Sequence, residues 1–181
     1  MLRVACLAFP LVAFAFLGGC SDPVPPTPQG AFNVQFTDTG ADCSIASHRS
    51  EAGAITDTKK TTVLIDGVEG ASVSCSVSGA GPFNVSAKIS LGSDGINLSI
   101  PAINVGATEM SPAAGSFAFW SDRTAGDAFS SAKCNFYFKE GTGEGVAGGK
   151  LWVSFECPEV VESQSKCGIS ESHVILENCD Q

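Results

Sequence analysis

The chain has 181 residues, with 10 Lys plus Arg against 19 Asp plus Glu, a net charge of -9, 20 Gly and 8 Cys. That length suits one domain with a little extra chain, and 44% apolar against 16% charged residues excludes a disordered or acidic-tail protein. The acidic balance argues against nucleic acid, whose phosphates need clustered Lys and Arg, and eight cysteines argue against a reducing cytosol.

Met1, Leu2 and Arg3 precede an apolar run from Val4 to Leu17, followed by Gly18, Gly19 and Cys20. A positive start, an apolar stretch and small residues before a cleavage point predict a secretory signal over residues 1–19. The stretch is shorter than the ~20 residues of a spanning helix. Leu17, Gly18, Gly19 and Cys20 resemble the lipobox of bacterial lipoproteins. That resemblance implies cleavage before Cys20 and lipidation of its thiol; the alternative is ordinary cleavage with Cys20 in a disulfide. Ser21 stands where many Gram-negative lipoproteins carry an inner-membrane retention Asp, and Asp22 comes one place later. The resemblance therefore implies the outer membrane. Pro23, Pro25, Pro26 and Pro28 make residues 20–30 an extended tether, at ~3.1 Å per residue a spacer of roughly 30 Å. Loss of the signal removes Arg3 and no acid, so nine basic residues face 19 acids and the net charge becomes -10.

From residue 31 to 181 one domain is expected, and its hydrophobic period is two. Val73, Cys75 and Val77 alternate with serines; Phe83, Val85, Ala87, Ile89 and Leu91 alternate with Asn84, Ser86, Lys88 and Ser90. Ile96, Leu98 and Ile100 follow the turn Gly92 to Gly95. Later come Cys134, Phe136 and Phe138, then Leu151, Val153, Phe155 and Cys157. Such alternation predicts strands with one buried and one wet face. Shorter candidates are Phe32 to Phe36, Val63 to Ile65, Phe117 to Phe119 and Val174 to Leu176, separated by Gly-rich turns that include Gly141 to Gly149. The fold class is all-β: an antiparallel β-sandwich of about 8–9 strands, with a partly open barrel as the alternative.

Six cysteines remain in the domain, Cys43, Cys75, Cys134, Cys157, Cys167 and Cys179, an even count that predicts three disulfides among 15 connectivities. Cys75, Cys134 and Cys157 lie on the apolar sides of their strands, while Cys167 and Cys179 flank a terminal segment. The expected set is Cys75–Cys157, Cys43–Cys134 and Cys167–Cys179, with a Cys134–Cys157 pairing across its own hairpin as the alternative. No C-x-x-C pair occurs and His48 and His173 lack ligand spacing, so no metal and no cofactor are expected.

Val63 to Gly67, followed by Ser72 to Cys75, is similar to a stretch of the mycobacterial nineteen-kilodalton lipoprotein antigen family. Phe155 to Pro158 resembles that family's closing strand. The likeness spans Val63 to Val77 and Lys150 to Pro158; four further cysteines and the chain beyond Pro158 depart from it. It implies a lipid-anchored β-sandwich with a Cys75–Cys157 bridge, and no activity.

Chemistry has few candidates. No G-x-S-x-G elbow accompanies the serines. His48 lies in a polar stretch and His173 beside a strand, and both are expected at the surface. Glu140 and Glu144 share a Gly-rich loop that would hold acids poorly for glycoside hydrolysis. Asp38 with Asp42, and Asp122 with Asp127, fit solvated turns better than calcium ligation. Trp120 and Trp152 remain; Trp152, on the wet face of its strand beside Tyr137, forms a candidate ligand face for a sugar or a partner, unless a loop or second sheet covers it. The expectation is a membrane-anchored, non-enzymatic lipoprotein of the cell envelope with a structural or interaction role and an unidentified protein or glycan partner. A glycan- or lipid-binding module is the alternative and a hydrolase comes third.

Overall fold

The computed structural model describes residues 25–37, 40–56, 59–125 and 127–181. The signal, Cys20 and Asp38 lie outside them. The chain enters β1 (Gln29–Thr37), then β2 (His48–Ala52), the hairpin β3 (Ala54–Thr56) and β4 (Lys59–Thr62), and the short β5 (Leu64–Ile65). Four strands of the kind expected from alternation follow: β6 (Ala71–Gly79), β7 (Phe83–Leu91), β8 (Asp94–Ile103) and β9 (Ala113–Trp120). A single 3₁₀ turn, Asp122–Thr124, leads to β10 (Phe129–Tyr137), β11 (Gly145–Ala147), β12 (Lys150–Glu162) and β13 (Ser165–Glu177).

All of these strands but β3 and β4 form one curled antiparallel sheet in the order β2-β1-β13-β12-β10-β9-β8-β7-β6, with β11 added to β12 and β5 to β1, while β3 and β4 pair with each other as a separate two-stranded sheet. The all-β reading holds, and the arrangement is the partly open barrel; one continuous sheet curls over a single core instead of two sheets facing each other. Its inward positions supply that core. Phe32, Phe36, Phe117, Phe119, Phe129, Phe136 and Phe155 are fully buried. Phe117 and Phe155 have ring centroids 4.4 Å apart, and Phe36 meets Phe129 edge-on at 5.0 Å.

The curl brings the two ends of the sheet back on themselves, which matters because an exposed strand edge invites further pairing. The free edge of β6 is occupied by turn and terminal residues. Val73 N donates to Asp66 Oδ1 (2.8 Å), Val77 N to Asp180 O (2.8 Å), Asp180 N to Cys75 O (3.1 Å) and Gly149 N to Val77 O (2.9 Å). At the other end, the inward Ser50 hydroxyl of β2 donates to the Asp94 carboxylate at the start of β8.

The six domain cysteines form three disulfides, Cys43–Cys167, Cys75–Cys179 and Cys134–Cys157, with Cα separations of 4.8, 4.9 and 4.3 Å. All three expected pairings are corrected, including the Cys75–Cys157 bridge implied by the family resemblance, and the hairpin alternative for Cys134 and Cys157 is the one formed. The reasons are topological. Asn135 pairs with Glu156, so Cys134 and Cys157 stand opposite each other on neighbouring strands. Cys167 lies near the start of the thirteen-residue β13 and Cys179 just beyond its end. At ~3.3 Å per residue they are about 40 Å apart, far beyond the ~7 Å limit for a bridge. Cys179 instead folds over the β6 edge to Cys75. The segment after β1 crosses the start of β13, where Lys166 N donates to Asp42 O and Ser44 N to Ser165 Oγ, and this crossing brings Cys43 to Cys167.

Candidate functional site: a latched polar row beside Trp152

Across β10, β12, β13 and β1 the register sets Tyr137, Ser154, His173 and Asn33 in one outward row. Alternation alone would leave this row wet. Instead it is covered: Tyr137 is 3% exposed, His173 4%, and Ser154 fully buried. Part of the cover is a second apolar cluster of Ala31, Ile55 and Ile175, against which Val63 and Trp152 pack. Ile55 comes from the β3–β4 hairpin, whose polar sequence gives no apolar period and which sequence reading does not detect.

The rest of the cover is the Gly-rich loop before β11. Glu144 turns inward from it, with a fully buried side chain. Its Oε2 accepts from Lys139 N (2.8 Å) and its Oε1 from Ser154 Oγ (2.7 Å). His173 Nε2 lies 3.9 Å from Glu144 Oε1 and 3.9 Å from Glu171 Oε1, and Lys139 Nζ pairs with Glu171. The other ring nitrogen, Nδ1, donates to Asn33 Oδ1 at 3.2 Å, while Asn33 Nδ2 donates to Ile55 O at 3.4 Å. Asn33 thereby fixes the imidazole and ties the row to the covering hairpin. The expectation of a loosely held acid at Glu144 is corrected: a backbone N–H and a hydroxyl fasten it. Glu140 remains on the exposed part of the loop.

His48 is corrected in the same way, from a loop surface to a strand interior. It is 5% exposed, with its ring 5.1 Å from Phe36 and 5.9 Å from Phe119. Nδ1 donates to Ala46 O at 3.0 Å, so Nε2 accepts from Ser121 Oγ at 3.3 Å. This is a serine–histidine pair of the sense a nucleophile needs. However, Ser121 is itself 1% exposed, and a backbone carbonyl takes the place of an orienting acid. At His173 the serine hydrogen goes to Glu144 and not to the imidazole. Both clusters fasten chain segments to the sheet.

The candidate ligand face also changes form. Trp152 is half-buried against Ile175, with Gly143 so close that an added Cβ would stand 2.7 Å from its ring. The pair is therefore divided between two grooves. One, of about 440 Å³, is lined by Val146, Trp152 and Ile175; the other, of about 500 Å³, by Met110, Tyr137 and Phe138. Among the described residues, no group of three or more His, Cys, Asp or Glu is placed to hold a metal, and no helix is long and apolar enough to cross a membrane. Asp42, Asp122 and Asp127 sit in turns, with Asp122 N donating to Asp94 Oδ1 at 3.4 Å.

Burial, followed by the negative charges of Glu156, Glu109, Glu171 and Glu144, raises the Tyr137 phenol from 10.0 to about 12. It is the chain's one tyrosine. Spectrophotometric titration is therefore expected to give a single phenolate transition near 12 in the folded protein and near ~10 in denaturant. Because the folded value is the higher, the neutral phenol stabilises the fold fully below pH ~10. That contribution is lost as pH climbs towards about 12. A folded-state midpoint near ~10 would contradict the burial of Tyr137.

No family model, curated protein or solved structure matches the chain.

Proposed function

We propose that this protein is a lipid-anchored lipoprotein of the bacterial cell envelope. It carries a disulfide-braced, partly open β-barrel on a Pro-rich tether and serves a structural or interaction role, not a catalytic one. The observation that carries this reading is the cysteine pairing. Cys43, Cys75, Cys134, Cys157, Cys167 and Cys179 satisfy one another, which leaves Cys20 without a disulfide partner among them and free for acylation. Three bridges also fit an oxidising compartment outside the cytosol. The described chain begins at exposed Pro25, Pro26 and Thr27, ahead of β1, where a tether leaves the domain without disturbing it. Several acyl chains, each contributing ~0.8 kcal/mol per buried methylene, would hold such an anchor firmly. The absence of Asp directly after Cys20 favours the outer membrane.

A non-catalytic role is supported by the setting of both histidines, buried and engaged in fastening segments to the sheet. A lipid carrier would need an apolar interior cavity, and the space within the curled sheet is filled by phenylalanines. Metabolic labelling of the producing cells with an alkyne-tagged palmitate tests the anchor. Label is expected on the wild-type chain and not on Cys20→Ala; equal incorporation would overturn the proposal.

A further inference from the structure

The outward face of β6, β7, β8 and β9 differs in chemistry from the rest of the surface. Register places Ser76, Ser86, Ser99 and Ser116 in one row across the four strands. The next row towards the β7–β8 turn contains Lys88 and Asn97, and the one beyond it Gly95 and Trp120. Sheet geometry spaces these groups by ~4.8 Å between strands and ~6.7 Å between rows. The result is a regular lattice of hydroxyl and amide groups. None of the four serine hydroxyls of the first row, nor the Asn97 amide, is hydrogen-bonded within the protein among the described residues. Although the chain has 19 acids, the outward positions of these four strands carry none, and Lys88 is their one cation. Asp180 borders the face only where the C-terminal segment bridges to Ser76.

Trp120 gives the lattice an aromatic platform. Its indole packs directly on Gly95, where an added Cβ would collide with Cζ2, Cε2 and Nε1 of the ring. The ring is thus seated on the sheet, and Lys88 Nζ stands 5.9 Å from its centroid. Glycine at 95 is therefore required to lay the ring down. Two shallow hollows, of about 320 and 340 Å³, lie on either side of Asn97.

Hydroxyls each donate and accept, so a surface of this kind leaves many polar groups to satisfy. Protein partners do this poorly, since the cores of protein interfaces favour aromatic residues, Met and Arg and are depleted in Ser. A polyanion would need clustered cations, and a bilayer would need exposed apolar side chains; this face has neither. A sugar polymer meets the pattern, offering hydroxyls to the lattice and the C–H face of a pyranose ring to the indole. We infer that the outer face of β6–β9 binds a neutral polysaccharide, with Trp120 as its stacking platform and Asn97 and Ser99 among its polar contacts. This surface is separate from the Trp152 groove and does not depend on the anchor.

Affinity electrophoresis of the purified full exported chain through gels containing dextran, pullulan or mixed-linkage β-glucan tests the inference, with alginate as the anionic control. At least one neutral polymer is expected to retard the protein. Trp120→Ala is expected to weaken that retardation by about tenfold, as loss of one aromatic stacking contact does. Trp120→Phe should retain part of it, Ser86→Glu should abolish it, and Cys20→Ala and Trp152→Phe should leave it unchanged. Ser86→Glu sits at an exposed position, so its loss of binding in a folded chain separates the face from misfolding. Retardation by none of the neutral polymers, or by alginate alone, would overturn the inference. So would retardation unaffected by both Trp120→Ala and Ser86→Glu, or an association of two copies that Ser86→Glu dissolves.

Discussion

Replacing Cys75 and Cys179 together by alanine is expected to cost about 4–5 kcal/mol of stability, and with it about 10–15 °C of melting temperature. The bridge spans 104 residues in sequence, against 23 for Cys134–Cys157. In the chain-entropy account a closed loop of that length contributes ~4.7 kcal/mol, and the shorter one ~3.5 kcal/mol. The difference in position matters as much as the difference in length. Cys134 and Cys157 tie neighbouring strands already joined by the sheet ladder, whereas Cys75–Cys179 fastens the C-terminal segment across the β6 edge. Without it, the bonds from Val77 N to Asp180 O and from Asp180 N to Cys75 O lose their covalent support. Guanidinium unfolding of the two double-alanine variants should therefore rank Cys75/Cys179 as the larger loss. Amide exchange should quicken at Val77 in that variant alone. Equal losses, or an unchanged Val77 amide, would mean that the C-terminal segment holds the edge by itself.

That edge shows what the sequence made legible and what it did not. The strands β6 and β7 and the stretch Ile96 to Ile100 of β8 alternate apolar and polar residues without interruption, and Gly92 to Gly95 marks the turn between β7 and β8, so the period and the punctuation agree. The long β12 and β13 were legible only in part. Pro158 reads as a strand end, yet β12 continues past it because the register shifts between Cys157 and Val160 release the ladder bond that proline cannot make. β2 escapes detection because its inward residues are His48, Ser50 and Ala52, which carry no hydrophobic signal. What buries them is long-range, the Ser50 bond to Asp94 and the His48 bond to Ser121, each formed only when the sheet curls. The disulfide pattern was illegible for the same reason. Pairing depends on which strand ends the curl brings together, and alternation fixes the face of a strand without fixing its neighbours. Alternation puts Tyr137 and Trp152 on the outward face of their strands, but the cover over that face comes from a polar hairpin and a Gly-rich loop.

The loop makes the second large prediction. Glu144→Ala is expected to destabilise the protein by about 3 kcal/mol, because it leaves Lys139 N and the Ser154 hydroxyl as buried donors that had shared a carboxylate. Glu144→Gln preserves size and an acceptor oxygen, and its cost should be about half, since a charge-assisted bond becomes a neutral one. A double-mutant cycle with Ser154→Ala should return a coupling of about 1–3 kcal/mol, as expected for a direct contact. The loop also provides an optical reading. Gly143 presses on the Trp152 ring, so a chain that has lost its Glu144 latch should expose that indole. In a Trp120→Phe background, where Trp152 is the remaining tryptophan, emission should move to the red in Glu144→Ala and stay near the parent value in Glu144→Gln. Arg49→Ala provides the contrast. Its ion pair with Glu51 is 3.7 Å long and more than half exposed on both sides, and it should change neither stability nor emission measurably. An unchanged Trp152 emission in Glu144→Ala, together with a loss below about 1 kcal/mol, would show that the Gly-rich loop is held by its backbone and that the carboxylate is a passenger.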